Sequence, residues 1–171
     1  EAVMIDHLED VRLIGAGDPM LTNAKLDALA ATVVRNVKAS APGGRLPSSA
    51  RVLVDDTLFA APSNATGWRS TYVPSQVNPV VALQRFGTRT SRPISDAANY
   101  FAGRLAVRGL KATYVGRARA GTAPTIGSVQ GYPTGAIVRR MLLSSDNNIA
   151  EVLARRAAIA GGHSATWGGW Q

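Results

Sequence analysis

The sequence predicts a mixed α+β fold, and three observations carry that prediction. Short runs rich in Val, Leu and Ile, bounded by Gly, Pro or Asp, occur at Val11–Ile14, Arg51–Asp55, Val80–Leu83, Ala112–Val115 and Ile126–Val129. Two longer stretches between them repeat apolar residues at helical spacing. The chain then finishes on two consecutive helical patterns separated by a polar break. Strands alternating with helices up to about residue 127, followed by a helical piece, read as an α/β or α+β region with a helical appendage.

Each element has its own signal. Residues 1–10 hold a short apolar pattern, Val3, Met4, Ile5 and Leu8, with no clear start. Val11–Ile14 ends at Gly15-Ala16-Gly17-Asp18-Pro19. A dinucleotide loop would need a third glycine and a helix opening where Pro19 stands, so this is a tight turn. Thr22 or Asn23 caps the next helix, whose buried stripe is Leu26, Leu29, Val33 and Val37, and Ala41-Pro42-Gly43-Gly44 stops it. Asp55 and Asp56 are adjacent and point to opposite faces of a strand. They form no two-carboxylate site and serve strand-end bonding. Residues 57–80 are rich in loop-forming residues, with Trp68 and Tyr72 as anchors. Ile94–Arg108 is an amphipathic helix with Ala97, Ala98, Phe101 and Leu105 inward, ended by Gly109. Pro133-Thr134 opens the helix before the break, and the tail from His163 is irregular.

Composition sets limits. The chain has 171 residues, no cysteine and two histidines, His7 and His163. Disulfides, thiolate metal sites and a Cys nucleophile are excluded, and the spacing of the histidines supports neither a metal site nor a Ser/His/Asp triad. No cofactor is implied. No apolar run approaches the roughly 18 residues of a membrane span, and Glu1–Asp6 does not read as a signal peptide. The net charge is +8. The start is acidic, whereas Arg85–Arg119 carries eight basic residues against Asp96 alone. Such a surface attracts polyanions, or is an ordinary solvated face. The basic residues are dispersed and not interleaved with stacking aromatics, so no nucleic acid is expected as a partner.

The break is the most informative stretch. Ile137, Val138, Met141 and Leu142 precede it at helical spacing, and Ile149, Val152, Leu153 and Ala157 follow. Ser144, Ser145, Asp146, Asn147 and Asn148 between them are a helix boundary with an N-cap. Glu151 reads as a first-turn acid that suits the helix dipole.

The longer string SSDNNIAEVLAR closely resembles the second motif, Ser-x-Asn, of low-molecular-mass class C penicillin-binding D-alanyl-D-alanine carboxypeptidases, the peptidase S13 or DacB/PBP4-like family. Leu13–Thr22 resembles that family's Gly-Gly-Asp-Pro-x-Leu turn, with Ala16 in place of a Gly. Val52–Trp68 resembles its Val-Asp-Asp-x-x-Phe segment. The resemblance implies that residues 1–127 are inserted, non-catalytic domain material. It implies that 128–171 belong to the helical region of a β-lactamase/transpeptidase-like domain. Ser145 would be catalytic, relaying a proton to the leaving D-alanine, and Asn147 would bind the substrate peptide.

That chemistry also needs a Ser-x-x-Lys nucleophile and a Lys-Thr-Gly strand. Neither occurs: Thr22, Arg35 and Arg108 stand three residues before Lys25, Lys38 and Lys111, and Pro133-Thr134-Gly135 lacks the cation. The resemblance therefore implies an internal fragment, inactive alone, of an exported serine-type enzyme of the cell envelope, periplasm or wall. Its partners would be peptidoglycan stem peptides, β-lactams and the missing segments of the same protein. The alternatives are an envelope scaffold in which Ser145 and Asn147 only cap a helix, and a basic nucleic-acid-binding module.

Overall fold

The computed structural model describes residues 2–5, 9–60 and 64–170. His7, Leu8 and Pro62, read above from the sequence, lie outside them. Five strands form one mixed sheet: β1 (Ala2–Ile5), β2 (Asp10–Ile14), β3 (Ala50–Asp55), β4 (Ala112–Arg117) and β5 (Thr125–Ser128). The spatial order is β4-β3-β2-β1-β5. β2, β3 and β4 run parallel, and β1 is antiparallel to both β2 and β5. The parallel pairs need long crossovers. These are α1 (Asn23–Ser40), between β2 and β3, and α2 (Pro93–Ala106), which returns the chain to β4. The two helices touch each other and the sheet, so they lie side by side on one face.

The pattern of apolar residues decides which face. Val3 pairs in register with Leu13, and Leu13 with Val54, and all three are fully buried. This row packs in one core with Leu26, Leu29 and Val33 of α1 and with Ala97, Phe101 and Leu105 of α2. Thr22 caps α1, its hydroxyl accepting from the Lys25 N–H at 3.2 Å. Pro93 opens α2, where its missing N–H costs nothing. Gly127 lets α1 close over β5: a Cβ there would lie 3.3 Å from Leu29 and Val33.

A second, smaller core joins Phe59, Val80 and Ala82 to Val152 and Ala165. Val80–Leu83, read as a strand from the sequence, is irregular backbone. Its alternation is nevertheless real. Val81 and Leu83 enter the main core, and Val80 and Ala82 enter the second. The run pairs with no strand among the described residues, but Gly17 N–H donates to Ala82 O at 2.9 Å. A Cβ on Gly15 would come within 2.8 Å of the Ala82 backbone, which is why the turn after β2 needs glycine. Ala2–Ile5, left without an element by the sequence, is strand β1, and the tail holds a short helix, α5 (Trp167–Trp170).

Four of the eight basic residues of the Arg85–Arg119 stretch form ion pairs, one with Asp96 inside it and three with acids from elsewhere in the chain. Arg85 forms a two-bond pair with Asp96, Arg104 and Arg108 share Asp27, and Arg117 grips Asp56 with two 2.7 Å bonds. Asp55 and Asp56 do serve strand-end bonding. Asp55 accepts from the Thr57 N–H and hydroxyl and from the Ala120 N–H at 2.6 Å. Burial pushes the Asp55 carboxyl up, but those hydrogen bonds outweigh it and hold the group below its usual range.

Gly15→Ala forces the 82–83 backbone aside and should lower stability by about 1–3 kcal/mol, read from urea melts. Asp55→Ala should cost about 1–3 kcal/mol at pH 7. Because the folded carboxyl titrates below the unfolded one, its contribution is present above about pH 4 and lost as pH falls through the folded value. Melts at pH 7 and pH 3 should therefore show the Asp55→Ala difference shrinking. A difference that does not change with pH would mean that the charge is irrelevant.

Candidate active-site turn

The polar break forms a tight joint between α3 (Thr134–Ser144) and α4 (Asn147–Ala160). Ser145 ends α3 in the left-handed region, with φ 49° and ψ 46°, and is the one described non-glycine residue with positive φ. Such a conformation costs on the order of 1 kcal/mol for serine. It turns the chain at once into the next helix, with the Ser145 residue exposed at the corner. Asp146 caps α4, its carboxylate accepting from the Ile149 N–H at 3.1 Å. The sequence-predicted pair therefore sits on one turn, Ser145 at its outer corner and Asn147 as the first residue of α4.

Three neighbours of Ser145 tie this turn to the long loop before α2. Asn147 Nδ2 donates to Gln76 O at 3.3 Å. Asn148, buried, accepts the Asn78 N–H on its Oδ1 at 2.6 Å. Glu151 accepts the Trp68 indole N–H on Oε1 at 2.6 Å. Asn78 is a hub with no exposed surface. Its Nδ2 donates to Thr88 O, its Oδ1 accepts from the Thr90 N–H, and its carbonyl accepts from Asn64 Nδ2. Every polar group of a fully buried asparagine is thereby used.

Glu151 departs from its expected role. It is the fifth residue of α4, buried against Trp68, and not an exposed partner of the helix dipole. Arg155, one turn on, is also buried and donates to Ala165 O at 3.1 Å. Burial lowers the Arg155 pKa, and the Glu151 charge opposes that shift. Trp68 does anchor its loop, and it meets Tyr72 edge-on with ring centres 6.1 Å apart. Leu142, placed in the buried stripe by spacing, is exposed on α3, as is Leu143. His163 is exposed in the turn after α4.

Residues 6–84 match the D-Ala-D-Ala carboxypeptidase 3 (S13) family. The match contains the Leu13–Thr22 and Val52–Trp68 stretches and bears out the resemblance to the S13 family drawn from them. Ser145 and Asn147 lie outside the matched residues. The fold is similar to that of penicillin binding protein 4 (dacB) from Haemophilus influenzae in its crystal structure, with a TM-score of 0.59 at 14% identity. That likeness takes in 92% of this chain and 51% of the other, so the chain spans about half the length of the solved relative. No curated protein matches the chain.

Sequence reasoning found the turn and missed its supports. Asn78 carried one signal, its place before Pro79 in an apolar run, but nothing local marked Asn148 as its partner or Glu151 as the partner of Trp68. Asn148→Ala strands the buried Asn78 N–H and should cost about 1–3 kcal/mol. It should also raise amide exchange through residues 64–90 while leaving the sheet protected. Unchanged exchange there would show that the loop is held by other contacts.

Proposed function

We propose that this chain is about half of a serine-type D-Ala-D-Ala carboxypeptidase, and that it supplies the Ser-x-Asn element of the active site through Ser145 and Asn147. The observation that carries the reading is the turn itself. A serine in a left-handed, exposed position stands two residues before an asparagine whose amide lies at a helix start, and both rest on the buried Asn78–Asn148 bond. A cap needs only Asp146. The left-handed backbone of Ser145 closes α3, a common way for a helix to end, so what supports the reading is the Ser-x-Asn string set at an exposed corner.

In this reading residues 1–127 are inserted domain material and 128–171 part of the transpeptidase-like domain. What supports the division is that the sheet closes with β5 at Ser128 and only helices follow. A serine from the Ser-x-x-Lys motif, elsewhere in the protein, attacks the carbonyl between the two D-alanines and becomes acylated as D-alanine leaves. Ser145 passes a proton to the leaving amine, and the Asn147 amide orients the peptide. Water then hydrolyses the acyl-serine. Substrates are stem peptides of peptidoglycan outside the membrane, β-lactams acylate the same serine, and endopeptidase action on cross-links is the companion activity.

Fluorescent penicillin applied to the source protein tests this on a denaturing gel. A labelled band well above the 17.9 kDa of this chain is expected. In that protein Ser145→Ala should slow labelling by about 100-fold, the scale of a lost proton relay, with the melting temperature little changed. A protein of 17.9 kDa that takes no label, or a Ser145→Ala variant that labels at the normal rate, would leave the turn a helix cap in a scaffold.

A further inference from the structure

Residues 129–133 lead from β5 to α3 and pass against the turn that follows β2. Asp18 of that turn is nearly buried, its side chain 7% exposed. Its Oδ1 accepts the Met20 N–H at 2.8 Å, and its Oδ2 holds the Lys25 ammonium at 3.0 Å. Lys25 belongs to the first turn of α1, and its side chain is 16% exposed. The pair therefore presents a fixed, partly desolvated cation, and its Nζ stands 3.9 Å from the centre of the Tyr132 ring. Gly131 runs close to the same carboxylate, since a Cβ there would lie 3.6 Å from Asp18 Oδ2.

The helix beyond this linker is held less firmly. Of the described residues of α3, Ile137 alone is buried. A cavity of about 550 Å³ lies between the Ala16–Pro19 turn and Ile137 and Val138, so close packing does not hold the start of α3 to the turn. In contrast, α4 buries Asn148, Ile149, Val152 and Ala158. α4 thus fixes where the corner stands, and the direction of α3 sets how its C-cap, Ser145, is turned. A helix of 11 residues is about 16 Å long and stiff, so a tilt at Thr134 is carried to Ser145.

We propose that Lys25 and Tyr132 are positioning residues for the Ser145–Asn147 turn: the ammonium held by Asp18 clamps the Tyr132 ring, fixes the start of α3 and so orients Ser145. The inference rests on the reading of that turn as part of an active site. Lys25→Met would strand the buried Asp18 carboxylate and disturb the fold, so the clamp is tested at the ring. Tyr132 is 43% exposed, and trimming it opens no core cavity.

Tyr132→Leu keeps an apolar side chain and the Asp18–Lys25 pair and removes the ring face. In the source protein it should slow labelling by fluorescent penicillin about fivefold, the scale of one partly desolvated cation–π contact, with the melting temperature little changed. Tyr132→Phe keeps the ring and should label at the wild-type rate. Amide exchange in the same proteins should rise over residues 131–139 of the Leu variant and stay as it was in the sheet. A Leu variant that labels at the wild-type rate, a Phe variant as slow as the Leu variant, or exchange raised throughout the sheet would each overturn the proposal. A labelled wild type with an indifferent Leu variant sinks the clamp alone. A wild type that takes no label sinks the active-site reading, and the positioning role with it, whatever exchange shows at the linker.

Discussion

The hydrogen bond from Asn78 N–H to Asn148 Oδ1 is the constraint on which the site depends. Both residues are buried, and they come from segments 70 residues apart. Breaking the bond would leave a donor with no water to replace its partner, so the two segments stay together or the core opens. Asn148 belongs to the first turn of α4, next to Asn147, and Asn78 belongs to the loop that also carries Gln76 and Trp68. The bond therefore sets the height of the loop over the helix start. Asn147 and Glu151 then meet their partners without further adjustment.

The two cores divide the labour around this bond. The larger holds the sheet and its two crossover helices, and it would be complete without α3 and α4. The smaller joins α4 to Phe59, Val80 and Ala82. Residues 80–83 serve both by alternating sides, so the position of the helical joint is transmitted from the sheet through four residues of irregular backbone. Ion pairs work at the periphery. Asp27 and Asp56 absorb much of the Arg104–Arg117 charge, and the polyanion surface read from the sequence is correspondingly smaller.

Legibility in the sequence followed the range of the interaction. β2, β3, α1 and α2 were readable because periodicity, caps and breakers act within one element, as Thr22 and Gly109 illustrate. The strand expected at Val80–Leu83 failed because alternation reports burial on two sides and is silent on whether a neighbour supplies a ladder. β1 went unread because Val3, Met4 and Ile5 are consecutive apolar residues with no turn residue to mark a start, and its pairing with β2 and β5 made it a strand. Leu142 failed differently: helical spacing says which residues share a stripe, and the neighbours decide which stripe is covered.

The mixed fold, the helix joint and the pairing of Ser145 with Asn147 were written locally. Caps, turns and stripes depend on residues within a turn or two of one another, and a family's short motifs are local strings as well. The left-handed corner at Ser145, the Asn78 hub, and the burial of Glu151 and Arg155 appear only in the folded structure. The hub and the two buried charges depend on a donor, acceptor or wall from a distant segment, whereas the corner closes on Met141 of its own helix. A glutamate that looks like a helix-dipole partner in sequence becomes a buried anchor only once a tryptophan from 83 residues away is laid against it.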